Sequence, residues 1–281
     1  MEKLKQCRKN KAMKKYILIT VALLFSLEIY SQTEIDYITN AYAKFKTGDD
    51  KGAIIDFTSA IEINPNREGA YVGRGYCKYL LGDDRGAILD YDRAIEINPK
   101  SGHAYLYRGL SRTSSGDHMS AIQDYTKAIE IGLNLTEAYL NRGLSKSSLG
   151  DKRGAILDFT KVIEIDPSNE KGYYDRAISK AQLEDYRGAI VDYNSVLKIN
   201  PSFAEAYYGR GNSKGLLEDY NGSILDYNSA IAINPKYAEA YFGRGISKIF
   251  LKQKDSGCLD LSRAGELGFS SAYDYIKENC K

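Results

Sequence analysis

Seven tyrosines, Tyr37, Tyr71, Tyr105, Tyr139, Tyr173, Tyr207 and Tyr241, recur every 34 residues without a slip. Proline keeps the same beat at Pro65, Pro99, Pro167, Pro201 and Pro235, with Leu133 and Phe269 in its place in the other two copies. A strict period in this range marks one supersecondary unit copied in tandem, each copy unable to bury its apolar face alone. Function is therefore expected on an extended surface rather than in a deep pocket.

The second copy shows what the unit is. Ala70, Tyr71, Cys77 and Leu81 recur at helical spacing, and so do Ala87, Ile88, Tyr91, Ala94 and Ile95. Both series fit a period of 3.6, and neither alternates as a half-buried strand would. Gly82 between them can take the left-handed conformation that ends a helix. Asp83 is suited to cap the next one, and Pro99 stops it by restricting Asn98. Each unit reads as a helical hairpin.

Tyr71, Gly75, Ala87, Tyr91, Ala94 and Pro99 stand at the offsets of a known signature, as do Tyr139, Gly143, Ala155, Phe159 and Pro167 with Val162 for the second alanine. The chain thereby resembles the tetratricopeptide repeat family, from Glu34 to Ser271. The resemblance implies an all-α, right-handed solenoid of seven hairpins near 34–67, 68–101, 102–135, 136–169, 170–203, 204–237 and 238–270, with a capping helix at 271–281. Two departures stand out. The family's leucine is arginine in six copies, and its second aromatic is Lys44, Lys78, Arg112, Lys146, Lys180, Lys214 or Lys248. The seventh copy is degenerate, with Gly257 and Leu261 at signature positions, as terminal capping repeats often are.

The formal charge of +2 conceals an uneven distribution. Residues 1–31 hold seven Lys or Arg against Glu2 and Glu28, leaving 32 basic and 35 acidic residues in segment 32–281. A mildly acidic array offers no overall attraction for nucleic acid, so no nucleic-acid partner is expected. Lys14-Lys15 precede an apolar run from Tyr16 to Leu27. Twelve residues are too few to span a bilayer but suit a secretory signal. Segment 1–31 is expected to direct export to the periplasm or outside a bacterial cell, with a cut after Ser31. The alternative is an uncleaved anchor, the one case in which membrane contact is expected. Met13 offers a second possible start.

No catalytic, cofactor or metal constellation emerges. His103 and His118 hold unrelated positions in the third copy and read as isolated side chains. The Gly-Arg-Gly runs at 73–75, 209–211 and 243–245 lie inside a helix rather than between strand and helix, so they are not phosphate loops. Close approach between helices explains them better, since glycine costs about 1 kcal/mol in a helix interior.

Three sets of residues carry the remaining expectations. Arg74, Arg108, Arg142, Arg176, Arg210 and Arg244 are matched by Asp90, Asp124, Asp158, Asp192, Asp226 and Asp260. These are expected as partly buried structural ion pairs; a basic stripe for an anionic ligand is the alternative. Val72, Leu106, Leu140, Tyr174, Tyr208 and Phe242 follow the repeat tyrosines. Tyr76, Leu110, Leu144, Ile178, Asn212 and Ile246 lie one turn further on the same face. By resemblance these line a concave groove for a partner peptide or helix; packing between units is the alternative. Cys258 and Cys280, each eleven residues from Phe269, are expected to form a disulfide across the last hairpin. The functional expectation is a non-catalytic scaffold or adaptor for a protein of unknown identity. A subunit of an envelope complex and a nucleic-acid-binding repeat are the rival readings.

Overall fold

The computed structural model describes residues 33–132 and 135–280. Residues 1–32 lie outside it, and with them the expected export signal. The described residues form fifteen α-helices and no strands. They divide into two compact units, with the boundary between Leu133 and Asn134.

The N-terminal unit holds three hairpins: α1 (33–46) with α2 (Asp50–Ile63), α3 (Glu68–Leu80) with α4 (Asp84–Ile97), and α5 (Gly102–Ser114) with α6 (His118–Ile131). The C-terminal unit holds four: α7 (Leu135–Ser148) with α8 (Lys152–Ile165), α9 (Glu170–Gln182) with α10 (Tyr186–Ile199), α11 (Ala204–Leu216) with α12 (Tyr220–Ile233), and α13 (Ala238–Phe250) with α14 (Lys254–Glu266). α15 (Ser271–Asn279) follows and lies against α14.

Local chemistry sets these boundaries. Asp49, Asp83, Asp117, Asp151, Asp185 and Asp219 each accept a hydrogen bond from the backbone N–H three residues on, capping the second helix. Gly48, Gly82, Gly116 and Gly150 turn the chain in the left-handed region, with φ between 80° and 88°. Glu184, Glu218 and Lys252 hold the same place in the last three hairpins at φ of 62–64°, where a side chain is strained. Five second helices (α2, α4, α8, α10 and α12) end on an extended residue before proline, such as Asn98 before Pro99. α6 instead ends on left-handed Gly132, because Leu133 cannot impose proline's stop.

Within each unit, every helix packs on its sequence neighbours, and first helices of successive hairpins also meet, as α11 and α13 do. The core is small residues and rings. Alanines at one register (Ala53, Ala87, Ala121, Ala155, Ala189) are fully buried, and Phe57, Tyr91, Tyr125 and Phe159 are at most 1% exposed. The glycine pairs make room for those rings. A Cβ on Gly211 would lie 2.9 Å from Tyr227, the ring of its own hairpin, and one on Gly243 would lie 2.7 Å from the same ring. Tyr227 thus fits between glycines of two consecutive first helices. That close approach accounts for the Gly-Arg-Gly runs.

Cys258 in α14 and Cys280, the residue that follows α15, are joined by a disulfide with a Cα–Cα distance of 5.9 Å. Cys280 stands just past the helix rather than within it, because the helical turns stop at Asn279. Cys77 is buried with a free thiol.

Candidate functional site

Three features of the hairpins bear on function: an ionic row, an aromatic row and a cavity. The ionic row is the most regular. Each of the six arginines meets the aspartate 16 residues ahead through two parallel bonds. Nε to Oδ2 spans 2.9–3.0 Å, and Nη2 to Oδ1 spans 2.5–2.7 Å. A second cation completes the site: Lys78, Arg112, Lys146, Lys180, Lys214 or Lys248 lies 2.7–2.8 Å from the same carboxylate. Sequence reasoning noted these cations only as a departure from the family pattern and did not pair them. The 12-residue spacing from this lysine or arginine to the aspartate, shared by every copy, is the signal that would have done so.

The arginine also reaches backward. Nη1 of Arg74, Arg176, Arg210 and Arg244 donates to Thr58, Thr160, Asn194 and Asn228 respectively, each 16 residues earlier in the preceding hairpin. Arg108 meets Asp92 in the same way. Each guanidinium lies over its own repeat tyrosine, 5.2–5.7 Å from the ring centre, a cation–π contact. With Nε, Nη1 and Nη2 all engaged, Arg74, Arg108, Arg176, Arg210 and Arg244 each tie first helix, second helix and preceding hairpin together. The geometry is that of a structural clamp, which leaves an incoming anion few free donors.

The second feature is the row of expected groove residues, which the structure divides. Leu106 is fully buried. It is enclosed by neighbouring helices, belongs to the core, and no partner can touch it; its place in a groove is corrected on that ground. Val72, Tyr76, Leu110, Leu140, Leu144, Tyr174, Ile178, Tyr208, Asn212, Phe242 and Ile246 are half-buried. Several of them also pack between hairpins. Tyr76 lies 4.8 Å from Tyr107, and Tyr174, Tyr208 and Phe242 lie 4.8, 5.0 and 4.7 Å from Phe203, Tyr237 and Phe269 (ring centroids). These rings extend the core outward and leave one flank open.

That open flank becomes a cavity in the C-terminal unit. Between α11 and α13, Tyr208, Asn212, Phe242 and Ile246 line a space of about 530 Å³ together with Leu216 and Phe250. Spaced four residues apart, Tyr208, Asn212 and Leu216 form one wall, and Phe242, Ile246 and Phe250 the other. Tyr227 closes the floor, its hydroxyl donating to Asn212 Oδ1 at 2.8 Å. Leu216 and Phe250 are 62% and 57% exposed, so the cavity opens to solvent along an apolar lip.

A further apolar row escaped sequence reasoning. Ile55, Leu89, Leu157, Val191, Leu225 and Leu259 occupy one register of the second helices and are 62–72% exposed, with Gln123 at that register in the third copy. They stand next to the buried aspartates in runs such as Ile-Leu-Asp-Tyr, where an aliphatic residue reads as core.

Among the described residues, no group of three or more His, Cys, Asp or Glu side chains could hold a metal ion. None of the described helices is long and apolar enough to cross a membrane.

Known proteins place this architecture. The family described as "Tetratricopeptide repeat" matches residues 68–101 and 136–169, and that described as "TPR repeat" matches 179–215 and 216–248. No curated protein matches the chain. Among solved structures, a tetratricopeptide repeat protein of Parabacteroides merdae is 20% identical. Coverage is 89% of this chain and 100% of that one, with a TM-score of 0.63. The C-terminal part of a TPR repeat-containing protein from Cytophaga hutchinsonii is 19% identical, covering 84% and 98%, with a TM-score of 0.72. YrrB, described as a TPR protein with an unusual peptide-binding site, is 20% identical, covering 66% and 95%, with a TM-score of 0.61. With its hairpins in register and four segments matching the repeat, the chain belongs to the tetratricopeptide repeat family, whose repeats serve protein–protein interaction.

Proposed function

We propose that this protein is a non-catalytic scaffold that holds a partner's peptide or helix in the groove between α11 and α13. The observation that carries this reading is the open, apolar cavity lined by Tyr208, Asn212, Phe242 and Ile246. A concave site with apolar walls and few polar groups is where a ligand gains most from leaving water. A charged group introduced there would have to be desolvated on binding. The chain without residues 1–31, used as bait with detection by mass spectrometry, should capture a partner that Phe242→Asp loses. Leu157→Glu, on the exposed row of the second helices, should still capture it. Equal capture by Phe242→Asp, with helicity unchanged, refutes the groove; loss only with Leu157→Glu moves the interface to the second helices.

The scaffold is proposed to work outside the cytoplasm. The basic and apolar stretches of residues 1–31 support export, and so does the Cys258–Cys280 bond, since disulfides persist in oxidising compartments. The mass of the mature protein should correspond to a start near Gln32. A chain retaining residues 1–31 in a membrane fraction would replace the signal by an anchor.

A further inference from the structure

The walls of the α11–α13 cavity are aromatic and its rim is acidic. Tyr208 and Phe242 face it from the two first helices, and Tyr220 and Phe250 stack beside it, with centroids 4.8 Å apart and planes within 6°. Glu218 and Glu239 complete the lining. Both glutamates are exposed, neither forms an ion pair with another described residue, and no lysine or arginine lines the space. Glu218 is held there by the left-handed turn before α12, at φ 64°, and Glu239 by the first turn of α13.

Ring faces carry the negative side of the aromatic quadrupole, and carboxylates carry a full negative charge, so both attract a cation. Tyr237 packs beside this space, its ring centroid 5.0 Å from that of Tyr208. Its hydroxyl is pushed well above the usual tyrosine range, first by burial and then by Tyr208, Glu205, Tyr174 and Glu239. An anionic side chain or peptide carboxylate entering this space would face the charges of Glu218 and Glu239 with no lysine or arginine in the lining to offset them.

We propose that the groove selects a partner segment bearing arginine or lysine between apolar residues, with the cation seated over Tyr208 and Phe242 and neutralised by Glu218 and Glu239. This rests on the reading that the groove holds the partner. The apolar neighbours of the cation would cover Leu216, Ile246 and Phe250, which a soluble cation alone would leave wet.

Random dodecamer peptides displayed on phage and selected on the full chain test this directly. Selected sequences should be enriched in arginine or lysine beside aliphatic or aromatic residues. A selected peptide resynthesised with citrulline, the neutral isostere of arginine, should bind at least 10-fold more weakly. On the Glu218→Gln, Glu239→Gln double variant, that discrimination should narrow to within about 2-fold while the citrulline peptide keeps its affinity. Enrichment of acidic or uncharged sequences, or equal binding of the arginine and citrulline peptides, overturns the cation preference alone. Peptides that bind Phe242→Ala as tightly as the native chain, or a selection that yields no binders, overturn the groove as well.

Discussion

Replacing Asp192 by asparagine removes one charge and adds no volume, and the structure says what that leaves behind. The Asp192 side chain is 1% exposed. It accepts from Arg176 Nε at 2.9 Å and Nη2 at 2.6 Å, with Lys180 Nζ at 2.7 Å. Asparagine would present an NH2 donor to one of these cations and leave two positive charges without a counter-ion. Breaking a buried pair from one side costs about 3–5 kcal/mol. Arg176 and Lys180 keep 17% and 20% exposure, so solvent recovers part of the loss. The expected cost is therefore near the lower end, about 3 kcal/mol. Arg176→Met leaves Asp192 still held by Lys180, but loses the bond to Thr160 and the contact with the Tyr173 ring, for about 2 kcal/mol. Independent effects would sum to about 5 kcal/mol, whereas shared ones should bring the double variant back to about 3, a coupling of about 2. Urea titration followed by helical circular dichroism measures all three variants, fitted hairpin by hairpin because repeat arrays need not unfold in one step. Additivity within about 0.5 kcal/mol would refute the clamp.

Three further outcomes are expected. Burial raises the Asp175 carboxyl to about 6, and its Oδ2 has no hydrogen-bond partner. The folded state then holds this proton more tightly than the unfolded one, so the contribution is complete below about pH 4 and is lost as pH rises to about 6. Asp175→Asn should abolish a loss of about 2 kcal/mol across that window, after allowing for partial exposure; denaturation midpoints that fall equally in both proteins refute the assignment. Glu184→Gly should stabilise by about 0.5–1 kcal/mol by relieving left-handed strain, so a lower midpoint would contradict it. Cys258→Ser with Cys280→Ser should cost about 3 kcal/mol and speed hydrogen exchange in α15 first; unchanged exchange there would show that packing on α14 alone holds the helix.

The hairpins were legible because their signals are local and repeated. A capping aspartate, a turn glycine and an Asn-Pro stop each act within a few residues, and repetition removes ambiguity. The groove was legible only as a face. Leu106 and Tyr208 share a register, yet one is enclosed and the other lines a cavity, because side-chain length and the neighbouring hairpin decide exposure. The second cation at each aspartate, lysine in five copies and Arg112 in the third, required antiparallel packing of two helices, which no single-helix pattern displays. Glu218 entered the site through a strained turn, four copies of which carry glycine, so its position was hidden behind a family rule.

Arginine's two polar reaches are equal, 16 residues forward to an aspartate and 16 back to a threonine, asparagine or aspartate. That symmetry makes the gene editable in one unit of length. Excising residues 204–237 would deliver Arg244 to Asn194 in place of Asn228, an amide for an amide, and leave its bonds to Asp260 unchanged. An excision one residue longer or shorter would turn a guanidinium away from its acceptors and strand a buried charge. The ionic row thus acts as a reading frame for tandem duplication, admitting whole hairpins and rejecting fragments. Copy number in such a chain can drift while its interior chemistry stays constant.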